Sequence, residues 1–120
     1  MKMLNELANV IYLGNKSKGF WDQELNVGEL LMLITSELGE AMEAHRKGKF
    51  ADVDVVTDLE VIFDKDTFEN NVKDTFEDEV ADALIRILDM CGGLAIDIEA
   101  HVNAKLKYNA TRERLHGKNY

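Results

Sequence analysis

NVGELLMLITSELGEAMEAHRK, running from Asn26 to Lys47, is the stretch that decides the fold. Leu30, Ile34, Leu38 and Ala41 recur at three- and four-residue intervals, and Leu31 widens the stripe. At about 100° per residue this is one face of an amphipathic helix. Glu37 stands at the margin of that apolar arc and Glu40 just beyond it. A carboxylate at such a margin is costly unless something positive compensates it.

NVKDTFEDEVADALIRILDMC, from Asn71 to Cys91, repeats the arrangement. Phe76, Val80, Ala83 and Ile87 form the arc, Val72, Leu84 and Leu88 support it, Glu79 sits at its edge and Asp82 lies beyond. The pairs Glu37/Glu40 and Glu79/Asp82 therefore share one phase relative to their apolar faces. If the two helices pack through those faces, all four carboxylates converge. Residues three apart on a helix face the same way. An all-oxygen donor set suits Mg²⁺, with Mn²⁺ as a substitute, better than zinc or copper. A single such pair among 23 acidic residues is usually solvated helix surface; two in matched phase are more informative. Arg86, near one helical repeat from Glu79, reads as a partner that orients the acids.

Outward from these segments, Lys2 to Leu13 reads as a short amphipathic helix, broken by Gly14 to Gly19. The aromatic pair Phe20 and Trp21 follows, suited to a core or interface and, as a weaker reading, to stacking on a nucleobase. Gly48 to Thr67 mixes valines and isoleucine with many aspartates, a pattern compatible with loop, short helical turns or brief extended pieces. Gly92-Gly93 marks an end or bend. Ile96 to Arg114 reads as another helix, with Ile98, Val102, Leu106 and Asn109 on one side. These elements predict one all-α domain over residues 1–120, a four-helix-bundle-like architecture of three or four helices.

Composition agrees. The chain has no proline and 8 glycines in 120 residues, which leaves few obligatory breaks. Its single cysteine, Cys91, excludes an intrachain disulfide. The net charge of −9 argues against a nucleic-acid polymer as partner, because such binders match phosphates with basic charge. Charged residues punctuate every apolar run, so no membrane span is expected, and the N-terminal residues lack a secretory pattern. A cytoplasmic location is the expectation.

Lys105, Asn109 and Arg112 recur at four- and three-residue intervals beside the last apolar stripe. Two cations and an amide make a phosphate-binding set; the plainer alternative is that the cations favour a helix C-terminus. Other catalytic schemes find less support. Glu113-Arg-Leu-His116 is a solitary ExxH where a di-iron bundle needs a pair. His45 and His101 are isolated, Ser36 lacks a nucleophile-elbow context, and Gly14-Asn-Lys-Ser-Lys-Gly19 is not a complete phosphate loop.

Glu37-Leu-Gly-Glu40, Glu79-Val-Ala-Asp82-Ala-Leu-Ile-Arg86 and Lys105-Leu-Lys-Tyr-Asn109-Ala-Thr-Arg112, followed by His116-Gly117-Lys118, together resemble the MazG-like all-alpha nucleoside triphosphate pyrophosphohydrolases. The resemblance spans roughly Trp21 to Tyr120, and the separation of the acidic motifs is longer than the family norm. It implies Mg²⁺ held by Glu37, Glu40, Glu79 and Asp82, and a substrate contacted by Lys105, Asn109 and Arg112. It further implies a homodimer or homotetramer that converts a nucleoside triphosphate to the monophosphate and pyrophosphate, often to remove unwanted nucleotides. The expected chemistry is in-line attack of water on phosphorus, with Glu37 or, by preference, Glu40 aligning the water. Two alternatives stay open: a phosphoribosyl-nucleotide pyrophosphohydrolase, and a non-enzymatic acidic helical adaptor or assembly subunit.

Overall fold

The structure, a computed structural model, describes residues 3–119, with the side chain of His116 set aside. Lys2 and Tyr120, and the ligand role weighed for His116, lie outside what is described. Among the described residues the chain is all-α, without strands. Six α-helices follow in order: α1 (Leu4–Ser17), α2 (Val27–Arg46), α3 (Val53–Val61), α4 (Lys65–Asn71), α5 (Phe76–Gly93) and α6 (Ile98–Ala110), with a 3-10 turn at Arg114–Gly117. None of these helices is long and apolar enough to cross a membrane.

Side-chain caps explain most of the helix starts. The Asn26 carboxamide oxygen accepts the Glu29 N–H at 2.8 Å, and its NH₂ donates back to Glu29 Oε1 at 3.0 Å. This reciprocal closure satisfies an orphan donor of the first turn of α2. The aspartates that obscure the stretch from Gly48 to Thr67 have the same use. Asp52 accepts from Asp54 N–H to start α3, and Asp64 from Thr67 N–H to start α4. The connection is thus two short capped helices, which raises the helix count above the three or four expected.

Three boundaries move for physical reasons. α1 runs through Gly14 to Ser17, since one interior glycine costs only about 1 kcal/mol; the chain turns instead at Gly19, where φ is 89°. The helix expected from Asn71 begins at Phe76, because Asp74 takes a left-handed φ of 66° and Thr75 Oγ1 accepts the Asp78 N–H at 3.3 Å. α6 starts after Asp97, whose carboxylate accepts the Ala100 N–H, and stops at Ala110, leaving Arg112 past its end.

The chain divides into two compact units, Met1–Phe20 with Leu88–Tyr120, and Trp21–Ile87. In the first, α1 and the end of α5 approach closely. A Cβ placed on Gly92 would lie 2.6 Å from Tyr12 Cβ and 2.8 Å from the Ala8 carbonyl oxygen. Gly92 therefore permits close helix contact in the last turn of α5, and the helix ends at Gly93, where the glycine pair predicts an end or bend. Asn5 also ties α1 to the start of α6, donating from Nδ2 to Asp97 and exchanging bonds with Glu99.

In the second unit, the buried residues of α2 are Leu30, Ile34, Glu37, Ala41 and Ala44, a three- and four-residue seam. Thr75, Glu79 and Ala83 continue the same spacing at α5. Both glutamates thus occupy the seam itself, where the margin was expected. Leu38, expected in the core, is 53 % exposed, and Val80 and Leu84 are also exposed. Each apolar arc is wider than the strip its own chain covers.

Candidate metal centre

Glu37 comes from the middle of α2, Glu40 from one turn later and Glu79 from the first turn of α5. One oxygen from each of the three lies within 4.8 Å of the others. Glu37 is 7 % exposed and Glu79 only 5 %, whereas Glu40 is exposed. The start of α5 is pinned from the connection between α2 and α3: Phe76 N–H donates to the Lys49 carbonyl at 2.8 Å, and Glu77 accepts the Ala51 N–H at 3.1 Å. The first bond uses a backbone N–H that the helix leaves unpaired; the second uses the Glu77 carboxylate.

The two buried glutamates differ in their compensation. Arg86 Nε donates to Glu37 Oε1 at 2.8 Å. Burial pushes the Glu37 carboxyl up, but Arg86 and hydrogen bonding with Glu40 and Glu79 outweigh it, so its value falls below the ordinary one. Glu79 has no cation: among the described residues no ion pair includes it, and its Oε2 is buried without a hydrogen-bond partner. Burial, then the neighbouring Glu40 and Glu37 carboxyls, push it up to about 8. Burial likewise raises half-buried Asp82, followed by the charges of Asp78 and Glu37, against the opposing pull of Arg86. Asp82 stands outside the 4.8 Å triad but within the field of its members.

Clustered carboxylates with one orphaned buried oxygen call for a proton or a cation. The donors are all oxygen, with no histidine or cysteine in the cluster, so the residues fit a hard divalent ion. Beside them lies a cavity of about 300 Å³, lined by Glu40, Glu43, Ala44, Lys47, Lys49, Asp74 and Glu79. Lys47 forms an exposed pair with Glu43 at 3.5 Å. The cavity thus carries two cations as well as its acids.

Lys105, Asn109 and Arg112 belong to the other compact unit. Lys105 Nζ lies 4.9 Å and the Arg112 guanidinium 5.4 Å from the centre of the Tyr108 ring, two cations on one aromatic side chain. Asn109 Oδ1 is buried without a partner. It is an acceptor, so it suits a hydroxyl or cationic donor better than a phosphate oxygen. Phe20 is 65 % exposed and therefore not a core residue of its own chain, while Trp21 is half-buried.

Sequence reasoning passed over Lys47, Lys49, Asp74, Asp78 and Tyr108. Tyr108 was visible as the residue between Asn109 and the lysines. Asp74 and Asp78 escape a reading that runs one helix from Asn71, because a turn at Asp74 precedes α5. No family model matches this chain, and comparison with curated proteins and with solved structures likewise gives no match.

Proposed function

We propose that the protein is a Mg²⁺-dependent hydrolase that converts a nucleoside triphosphate to the monophosphate and pyrophosphate. The observation that carries this reading is Glu79, a buried carboxylate with an unpartnered oxygen and no ion pair, set beside Glu37 and Glu40. Glu37, Glu40, Glu79 and Asp82 would hold the ion, Mn²⁺ serving in place of Mg²⁺. Once bound, the ion offsets the negative charge of phosphate oxygens and so favours nucleophilic approach.

The chain's own residues account for the remaining requirements. Arg86 fixes Glu37 through its Nε–H. Exposed Glu40 lines the cavity, and in this reading its carboxylate accepts a proton from the attacking water. The water oxygen bonds to phosphorus, the bond to the bridging oxygen breaks, and pyrophosphate leaves with the electron pair; the water's proton passes to Glu40 and then to solvent. Lys47 and Lys49 on the cavity wall supply positive charge for a polyphosphate. Lys105, Asn109 and Arg112, in the other compact unit, are candidate substrate contacts through the family resemblance alone, and Asn109 Oδ1 is an acceptor suited to a sugar hydroxyl. The active species is a homodimer or homotetramer, as the exposed apolar residues of α2 and α5 favour.

Purified protein incubated with Mg²⁺ and a nucleotide panel should release equal amounts of monophosphate and pyrophosphate. Glu40→Gln should lower the rate roughly 100-fold or more. Orthophosphate without pyrophosphate, or no turnover of any triphosphate, would overturn the reading. A phosphoribosyl-nucleotide in the same panel identifies that variant of the chemistry.

A further inference from the structure

We propose that Asp74, Asp78 and Glu79 form a second divalent-cation site, which shares Glu79 with the Glu37/Glu40/Glu79 triad and takes an oxygen-seeking ion such as Mg²⁺ or Mn²⁺. One carboxylate oxygen from each of Asp74, Asp78 and Glu79 lies within 4.8 Å of the others. Glu79, 5 % exposed and with Oε2 unpartnered, is therefore common to two acidic triads. A carboxylate has two oxygens and can bridge two ions, whereas a proton or one lysine satisfies only one side of it.

The surroundings separate this cluster from solvated surface acids. Among the described residues, Asp74, Asp78 and Glu79 take part in no ion pair, although Lys47 and Lys49 line the same cavity as Asp74 and Glu79. Lys47 is paired with Glu43 instead. The turn is held by local bonds: Asp78 Oδ2 accepts the Asp74 N–H at 3.0 Å, and Thr75 Oγ1 donates to the Val72 carbonyl at 2.7 Å. Three acids are thus gathered by backbone geometry without a side-chain cation among them. Both triads border one cavity, through Glu40 on one side and Asp74 on the other. Two ions held there would present a phosphate with charge from two directions.

The inference rests on the same Glu79 as the proposed hydrolytic site, and the experiment separates the two. The protein freed of metal is titrated with Mn²⁺, and bound ions are counted by equilibrium dialysis and electron paramagnetic resonance. About two Mn²⁺ per chain with a spin-coupled spectrum are expected from the sharing of Glu79. Asp74→Asn should leave about one ion and an uncoupled signal. Asparagine tolerates a left-handed φ, so this variant keeps the turn; Asp78→Asn is the second test, with circular dichroism verifying the helices. Wild-type stoichiometry in both folded variants overturns the inference. Loss of an ion in either supports it, whatever Glu40→Gln does. Wild-type stoichiometry in Glu40→Gln instead counts against the hydrolytic site alone.

Discussion

Arg86 Nε donates to Glu37 Oε1 at 2.8 Å, joining α5 to α2 across 49 residues of sequence. The Glu37 side chain is 10 % exposed and that of Arg86 42 %, so a mostly buried anion relies on a cation that still reaches water. Arg86→Ala should leave Glu37 buried and unpaired, destabilising the protein by about 2 kcal/mol at pH 7. The solvent reach of Arg86 keeps this below the cost of breaking a fully buried pair. Because the folded Glu37 value is lowered, the contribution is present above its ordinary 4.5 and is lost as pH falls through the folded value. Urea unfolding of both proteins at neutral and acidic pH should show the gap closing in acid. A pH-independent gap would mean that Arg86 acts through packing.

Glu79 has the opposite sign. Its carboxyl is held up at about 8 in the folded chain against 4.5 for the ordinary group. Between those values the folded state retains a proton that the unfolded state has released. Metal-free stability should therefore fall as pH rises from 4.5, its contribution fully lost above about 8, as linkage requires. Thermal melts in a chelator across this range should show the decline, and Glu79→Gln should flatten it. Added Mg²⁺ should offset the alkaline loss in the parent and have little effect on Glu79→Gln. An identical pH slope in the parent and Glu79→Gln would remove Glu79 as the cause.

Helical periodicity makes the approach of Glu37, Glu40 and Glu79 legible from sequence alone, because residues separated by near-whole turns share a face whatever the tertiary packing; Asp82, one turn further along α5, stands outside that triad. Periodicity also places α2 within one residue at each end, where Asn26 provides a cap signal. Asp74 escapes the same reasoning. Its approach to Glu79 depends on a left-handed turn, and Asp is not the residue that most announces one, since glycine adopts it more readily. The aspartate-rich stretch is opaque for a related reason: Asp52 and Asp64 are helix caps, and composition alone cannot separate a cap from a loop residue. Leu38 and Leu84 carry a third lesson. Periodicity shows that a face is apolar without showing whether the same chain covers it.

Gly92 tests the packing of the first unit independently of any chemistry. A methyl group there would meet Tyr12 Cβ at 2.6 Å and the Ala8 carbonyl oxygen at 2.8 Å. Neither atom is the free end of a flexible side chain, so α1 must shift. Gly92→Ala should destabilise the protein by about 1–3 kcal/mol, although alanine is the better helix former by about 1 kcal/mol. Gly14→Ala is the control, since a Cβ at Gly14 meets nothing within 4 Å; it should be neutral or stabilising. Denaturant melts that rank the two variants the other way would contradict the close approach of α1 and α5.

The residue after each buried glutamate is an exposed apolar one: Leu38 follows Glu37, and Val80 follows Glu79. Leu31 and Met42 extend that stripe on α2, as Leu84 does on α5, where it is 51 % exposed. Isolated exposed leucines are ordinary, but aligned stripes on the two helices that carry the acids are a feature of interfaces. Burying each such side chain fully is worth about 1.5–3 kcal/mol, enough for several together to offset the cost of association. The protein should therefore sediment as a homodimer or homotetramer. Leu38→Lys combined with Leu84→Lys should yield a folded monomer, because neither side chain belongs to the buried seam. Self-association unchanged by the double substitution would place the interface elsewhere, and a monomeric parent at high micromolar concentration would sink the idea. A monomeric variant that still binds Mn²⁺ would show further that the acids need no second copy to assemble.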